Sequence, residues 1–197
     1  ELELDRLETE RRATAERLGD TPSWMRLGDV LLAKGDAEGA DRAYASALAA
    51  YRDISPLTVA DLQFRRGLAW GESGEDPARA RALYQAAVKR LPGFVRAHVH
   101  LAELEMDAGE REAAIARVRK VSTAQDPEPG GKLAVWLEGE EAATWKAKTL
   151  QAYDRLLAAH PLAYADHAAE FFLAIDDRTR AAELARINVQ NRPTRRA

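Results

Sequence analysis

The fold class this sequence predicts is all-α: a right-handed α-solenoid of about five helix pairs preceded by one N-terminal helix. Three observations predict it. Apolar and small residues recur at helical spacing, as in Trp24, Leu27, Gly28 and Leu31 at i, i+3, i+4 and i+7. Glycine, aspartate and proline break that pattern at short intervals, at Gly35-Asp36, Gly74, Asp76-Pro77, Leu91-Pro92-Gly93, Gly109 and His160-Pro161. The pattern also repeats, because Tyr44, Tyr84, Val118 and Tyr153 follow one another at 40, 34 and 35 residues.

Residues 1–20 read as a strongly charged helix with Leu4, Leu7, Thr14 and Leu18 along one side, either a cap or the second helix of a pair. Gly19-Asp20-Thr21-Pro22 ends it, with Thr21 expected as N-cap and Pro22 as the first helical residue. Residues 21–55 hold the opening pair, Pro22 to Lys34 and Ala37 to Tyr51. Small Gly28 and Ala40 let the two backbones approach, while Trp24 and Tyr44 fill the remaining space. The connection through Asp53-Ile54-Ser55-Pro56 is long.

In residues 56–93, Gly67 and Trp70 take the places of Gly28 and Leu31, Gly74 closes the first helix, and Asp76-Pro77 caps a second one bearing Ala80, Tyr84 and Ala87. One extra residue precedes Ala80. Residues 94–128 place Leu101 and Ala102 before Gly109, then Ala114, Val118 and Val121; the stretch from Asp126 through Gly131 is the most loop-like of the chain. Residues 129–161 form a degenerate unit: a short helix from Lys132 to Glu138, a turn at Gly139, and a long helix from Glu141 to Ala159 with Tyr153 and Leu156. Residues 162–197 carry Ala168, Ala169 and Phe172, a turn at Asp176-Asp177, and Ala181 and Ala185 before Arg192-Pro193. Thr194 to Ala197 stand where another helix would begin, so further repeats beyond Ala197 are expected.

A helix-turn-helix of about 34 residues, with small residues at the helix crossing and aromatics filling it, resembles the tetratricopeptide repeat. The resemblance covers Thr21 to Pro193. Two positions depart from it: Arg52 where the opening unit should end in proline, and Glu105 in place of a bulky residue. Ankyrin repeats of similar length need a Thr-Pro-Leu-His-like start that is absent, and a coiled coil needs heptads sustained across the breaks.

The resemblance implies a non-catalytic protein-interaction scaffold, 1–197 forming a single array whose first helices line a concave groove. The residues it points to are Met25, Asp29 and Leu32 in the opening unit, Phe64, Arg65 and Leu68 in the second, and Arg96, Val99, His100, Glu103 and Met106 in the third, with Asp166, Glu170 and Leu173 in the fifth. A protein or peptide partner, held by an apolar anchor near the methionines and Phe64, is the expected ligand. One subclass of the family grips the C-terminal carboxylate of heat-shock chaperones with Lys and Asn on its first unit. Here Met25 and Asp29 stand in those places, and Asp29 would repel a carboxylate, so a full clamp is not expected. The rival expectation is a structural module, a homodimer or a stack of further repeats, joined through Leu184 and Ile187 on the last helix.

Composition narrows the field. The chain has 197 residues, a net charge of −3 and no cysteine, which removes a global basic field, disulfides and thiolate metal sites. No run approaches the ~20 apolar residues that span a bilayer, so membrane insertion is not expected. The chain begins without Met or a signal-like apolar region, which reads as a processed chain or a piece of a longer one; the compartment, cytoplasmic or exported, stays open.

No cofactor, metal or catalytic constellation is expected. His98 and His100, two apart on a helix, point to nearly opposite sides. His160 precedes Pro161 in a capping position, and His167 with Glu170 is too common a pair to signify. Ser46 and Ser73 have no His base near in sequence, Glu140-Glu141 reads as solvated, and Gly130-Gly131 lacks the strand-loop-helix setting of a phosphate cradle. Arg178, Arg180, Arg186, Arg192, Arg195 and Arg196 fall on several faces and are interrupted by Asp177 and Glu183, so nucleic acid is not the expected partner.

Overall fold

The computed structural model describes residues 2–74 and 76–191, without the side chains of Leu2 and Ser73. Among them eleven α-helices follow one another with no strand. The chain divides into two compact units, Glu1–Leu104 and Glu105–Ala197. The fold is all-α, built from consecutive helix pairs.

The first unit contains α1 (Leu2–Leu18), α2 (Thr21–Lys34), α3 (Ala37–Ala50), α4 (Pro56–Leu68), α5 (Pro77–Arg90) and the greater part of α6 (Val95–Asp107). Helix α1 buries Ala15 in the first core cluster beside Leu27, Leu31, Ala40 and Tyr44. Leu4, Leu7 and Thr14 are half-buried, but Leu18, expected on the same side, is half exposed. Lys34 at the end of α2 holds α1 in place through Asp5 at 2.5 Å and Glu8 at 2.6 Å.

The N-cap of α2 is Asp20, which accepts from Ser23 N at 2.8 Å, rather than Thr21. A carboxylate at that position satisfies an orphan amide and favours the positive helix end. The Thr21 hydroxyl is thereby free to donate to the Ala47 carbonyl at 3.1 Å, tying α2 to α3. Gly35 ends α2 with φ +80°, where a side chain would be strained.

In the pairs α2–α3 and α4–α5 a glycine is pressed onto a tyrosine ring. A Cβ on Gly28 would lie 2.4 Å from Tyr44 Cε1, and one on Gly67 would lie 2.3 Å from Tyr84 Cε1. Both tyrosines are buried. The extra residue before Ala80 is absorbed in a π-helical turn, Ala69–Ser73, at the end of α4, which is how a helix takes up one inserted residue without losing its hydrogen bonds. Trp70 therefore does not repeat Leu31: it is half-buried, and the Arg79 guanidinium lies 3.8 Å from its ring centre.

In the second unit, α7 (Arg111–Val121), α8 (Pro127–Trp136), α9 (Gly139–Ala159), α10 (Pro161–Ala174) and α11 (Arg178–Asn191) follow the end of α6. The segment expected as a loop, from Asp126 to Gly131, is instead the first part of α8. Asp126 caps it by accepting from Glu128 N at 3.1 Å. Pro127 and Pro129 fall in the first turn, where amides have no intrahelical acceptor and proline loses nothing. Gly130 and Gly131 are packing glycines rather than turn glycines: added Cβ atoms would stand 2.9 Å from Thr149 Oγ1 and 3.1 Å from Phe171 Cδ2.

Gly139 begins α9 with φ +62°. His160 stands between α9 and α10 but makes no side-chain capping bond, contrary to expectation. Tyr153, Phe171 and Phe172 form the aromatic centre of this unit, with Leu184 buried beside them and Ile187 packed against it. Leu184 is thus core rather than the exposed stacking residue expected from the sequence. Arg192, Pro193 and the following four residues lie outside the described residues.

Two buried carboxylates carry the polar bonding inside the units. Asp41 accepts from Arg66 at 2.5 Å and Arg79 at 2.6 Å, joining α3, α4 and α5. Glu105, the departure noted in the third unit, accepts from Arg117 Nε at 2.8 Å and Nη2 at 2.5 Å. A bidentate guanidinium is what allows a carboxylate to occupy a buried place.

Replacing Gly28 by leucine should wedge α2 from α3 and cost at least about 1–3 kcal/mol, the usual range for overpacking. Thermal unfolding by circular dichroism checks it; an unchanged midpoint would mean that the Gly28–Tyr44 contact does not set the pair.

Candidate protein-interaction face

The residues selected from the first helices of the first unit meet on α2, α4 and α6, through a run of alternating charges. The Tyr44 hydroxyl donates to Asp29 Oδ1 at 2.8 Å, and Arg65 Nη1 donates to the same oxygen at 2.5 Å. Arg65 Nε also donates to Asp61 at 2.6 Å, one turn earlier on α4. Arg96 on α6 approaches the other Asp61 oxygen at 3.9 Å. The order across the three helices is therefore Asp29, Arg65, Asp61, Arg96.

The aromatic side of the face is equally tied. Arg96 lies 4.5 Å over the Phe64 ring, and Phe64 lies 5.3 Å from the His100 ring. His100 stacks on Tyr84 at 5.5 Å and its Nδ1 sits 3.0 Å from Glu103 Oε2. Its neighbour His98 turns inward and is bonded to the Pro92 carbonyl at 2.9 Å, so the two histidines part as expected.

Burial sorts the selected residues. Asp29 and Arg96 are exposed; Met25, Leu32, Arg65, His100 and Glu103 are half-buried. Phe64, Leu68 and Val99 are buried and offer no surface to a partner. Phe64 and Leu68 belong to the core cluster of the second pair. Met106 is half-buried and falls in the second unit, as do Asp166, Glu170 and Leu173. Asp61 was not selected from the sequence, although its i, i+4 spacing to Arg65 is the signal that could have found it.

Electrostatics fix the protonation states. Burial, then the Asp29 carboxylate beside it, pushes the Tyr44 phenol well above its ordinary range. Burial alone would pull Arg65 down, but Asp61 and Asp29 outweigh it and hold the guanidinium charged. Among the described residues no three His, Cys, Asp or Glu side chains converge on a metal position, and no helix is long and apolar enough to cross a membrane. The described C-terminal arginines are partly spent internally: Arg178 on Asp176 at 2.8 Å, and Arg180 on Asp154 at 2.5 Å.

Residues 73–131 match the tetratricopeptide repeat family. Repeats of this family mediate protein–protein interactions and generally form non-catalytic scaffolds. No curated protein sequence matches the chain. Among solved structures, BtubC (BKLC) from P. vanneervenii is similar with a TM-score of 0.58 at 16% identity, over 96% of this chain and 89% of that one. The C-terminal part of a TPR repeat-containing protein from Cytophaga hutchinsonii is similar with a TM-score of 0.51 at 13% identity, over 97% and 95%. MamA protein aligns with a TM-score of 0.47 at 20% identity, over 87% and 91%. At these identities the likeness is one of fold.

The raised phenols of Tyr44 and Tyr153 have a consequence at high pH. A pKa raised by folding stabilises the folded state fully below the ordinary tyrosine value of about 10 and loses that contribution as pH climbs toward the folded value. Helix content should therefore fall steeply above pH ~10. In Tyr44→Phe the decline should be shallower. Parallel titrations of phenolate absorbance and far-ultraviolet circular dichroism check this, and phenolate formation by all tyrosines with helix intact would contradict it.

Proposed function

We propose that the face built on α2, α4 and α6 of this chain docks a peptide or helix of a protein partner. The supporting observation is the charge run Asp29–Arg65–Asp61–Arg96, which crosses three helices and holds its members at fixed positions. Fixed alternating charges give orientation and selectivity rather than bulk affinity. Affinity would come from apolar contact at Met25 and Leu32, both half-exposed beside the run. Arg96 has half of its side chain exposed and, among the described residues, one long ionic contact besides its stacking on Phe64, so it is the donor best placed to meet a partner's acceptor. Asp29 is bound by Tyr44 and Arg65, which supports the absence of a carboxylate clamp in the opening unit.

A second reading is self-assembly through the last helix pair. It is favoured by Leu162 and Leu173 on α10 and Val189 on α11, all about half exposed or more. These replace Leu184 as the residues on which a structural role would depend.

Capture of partners from the native host by the intact chain, compared with Met25→Asp and Arg96→Glu, separates the two. Loss of the same partner in both variants, with unfolding unchanged, is the expected result. Partners retained in both would remove the α2–α4–α6 face. Sedimentation that shows concentration-dependent association abolished by Leu162→Glu with Val189→Glu would establish the self-assembly reading instead.

A further inference from the structure

The second unit holds a cleft of about 390 Å³ between the connection at residues 122–126, the start of α8, and one side of α9. Its apolar wall is made by Pro127, Trp145 and Ala152, and its cationic rim by Lys148 and Arg155. Positions 145, 148, 152 and 155 lie on one stripe of α9 by helical spacing. The long helix supplies this stripe because α9 runs 21 residues where its partner α8 runs 10.

The charges of the cleft do not cancel. Asp126 is the acidic residue of its lining, and its carboxylate is already used to cap α8. The Lys148 ammonium stands 5.1 Å from the Trp145 ring centre and makes no ion pair among the described residues. Arg155 spends one Nη2 hydrogen on the Ala124 carbonyl at 3.1 Å, leaving its remaining donors to other acceptors. An indole and two cations along one stripe of α9, against one committed carboxylate, form a surface complementary to anionic groups beside an apolar one.

We propose that this cleft is a second docking site, for an acidic peptide segment of a protein partner. One acidic side chain of the segment meets Lys148, a second meets Arg155, and a neighbouring leucine, isoleucine or phenylalanine rests on Trp145 and Pro127. Length favours a peptide over a small carboxylate. The stripe from Trp145 to Arg155 extends about 15 Å at the helical rise, the span of four or five extended residues; a small acid would engage only one end. The site is made of second-unit residues only, and it stands or falls independently of the α2–α4–α6 face.

The test is a displayed library of random octapeptides, selected on the whole chain and counter-selected on Lys148→Glu with Arg155→Glu. Enriched sequences should place Asp or Glu within two residues of Leu, Ile or Phe. A fluorescein-labelled peptide of the enriched sequence should bind Lys148→Ala and Arg155→Gln about tenfold more weakly each, the loss expected for one charge-assisted bond. Trp145→Ala should weaken it as well, and added salt should weaken it further. Met25→Asp and Arg96→Glu should leave it unchanged, which keeps failure of this site distinct from failure of the first-unit face. Lys148 and Arg155 are exposed, so their substitutions should leave the melting curve in place. Absence of any enriched sequence, enrichment without acidic residues, equal binding by the charge variants, or competition by free glutamate as strong as by the peptide would each overturn the proposal.

Discussion

A glycine against a tyrosine ring is the contact on which the first unit depends. Gly28 against Tyr44 and Gly67 against Tyr84 leave room for a buried ring between paired helices, where an added Cβ would clash. Alanines at positions 40, 47, 80 and 87 are buried in the same core clusters as these tyrosines. The tyrosine hydroxyl of Tyr44 emerges on the far side of α2 and reaches Asp29, so a packing residue also orients the first acid of the charged face. Stability and recognition thus share a side chain.

The second unit solves the same problem with different residues. Gly130 and Gly131 provide the close approach, against Thr149, Trp145 and Phe171 rather than one tyrosine. The outcome is a first helix that begins with two prolines and two glycines yet is helical throughout. Local propensity disfavours this; tertiary packing offsets it, since an added Cβ would clash at Gly130 and be tight at Gly131. The long α9 is the partner that such a helix admits.

Most of the architecture was legible in the sequence because it rests on spacing. The breaks at Gly35, Gly74 and Pro161, the inner face of Ala40, Tyr44 and Ala47, and the extra residue before Ala80 all have structural counterparts. What could not be read depends on which atoms meet in space. Proline and glycine in 127–131 look alike whether they turn a chain or pack a helix. Choice of cap between Asp20 and Thr21 rests on a rotamer, and the burial of Phe64, Leu68 and Val99 on neighbours distant in sequence. Nothing in the sequence pairs Asp41 or Glu105 with the arginines, 12 to 38 positions away, that reach them.

The π-helical turn after Leu68 bears on how such arrays change length. A single inserted residue would ordinarily rotate everything after it by about 100°, the angular step of an α-helix. Here the widened turn takes up that rotation before Asp76, and Tyr84 still meets Gly67. An insertion at the end of a first helix is thereby kept out of the register between that helix and its partner.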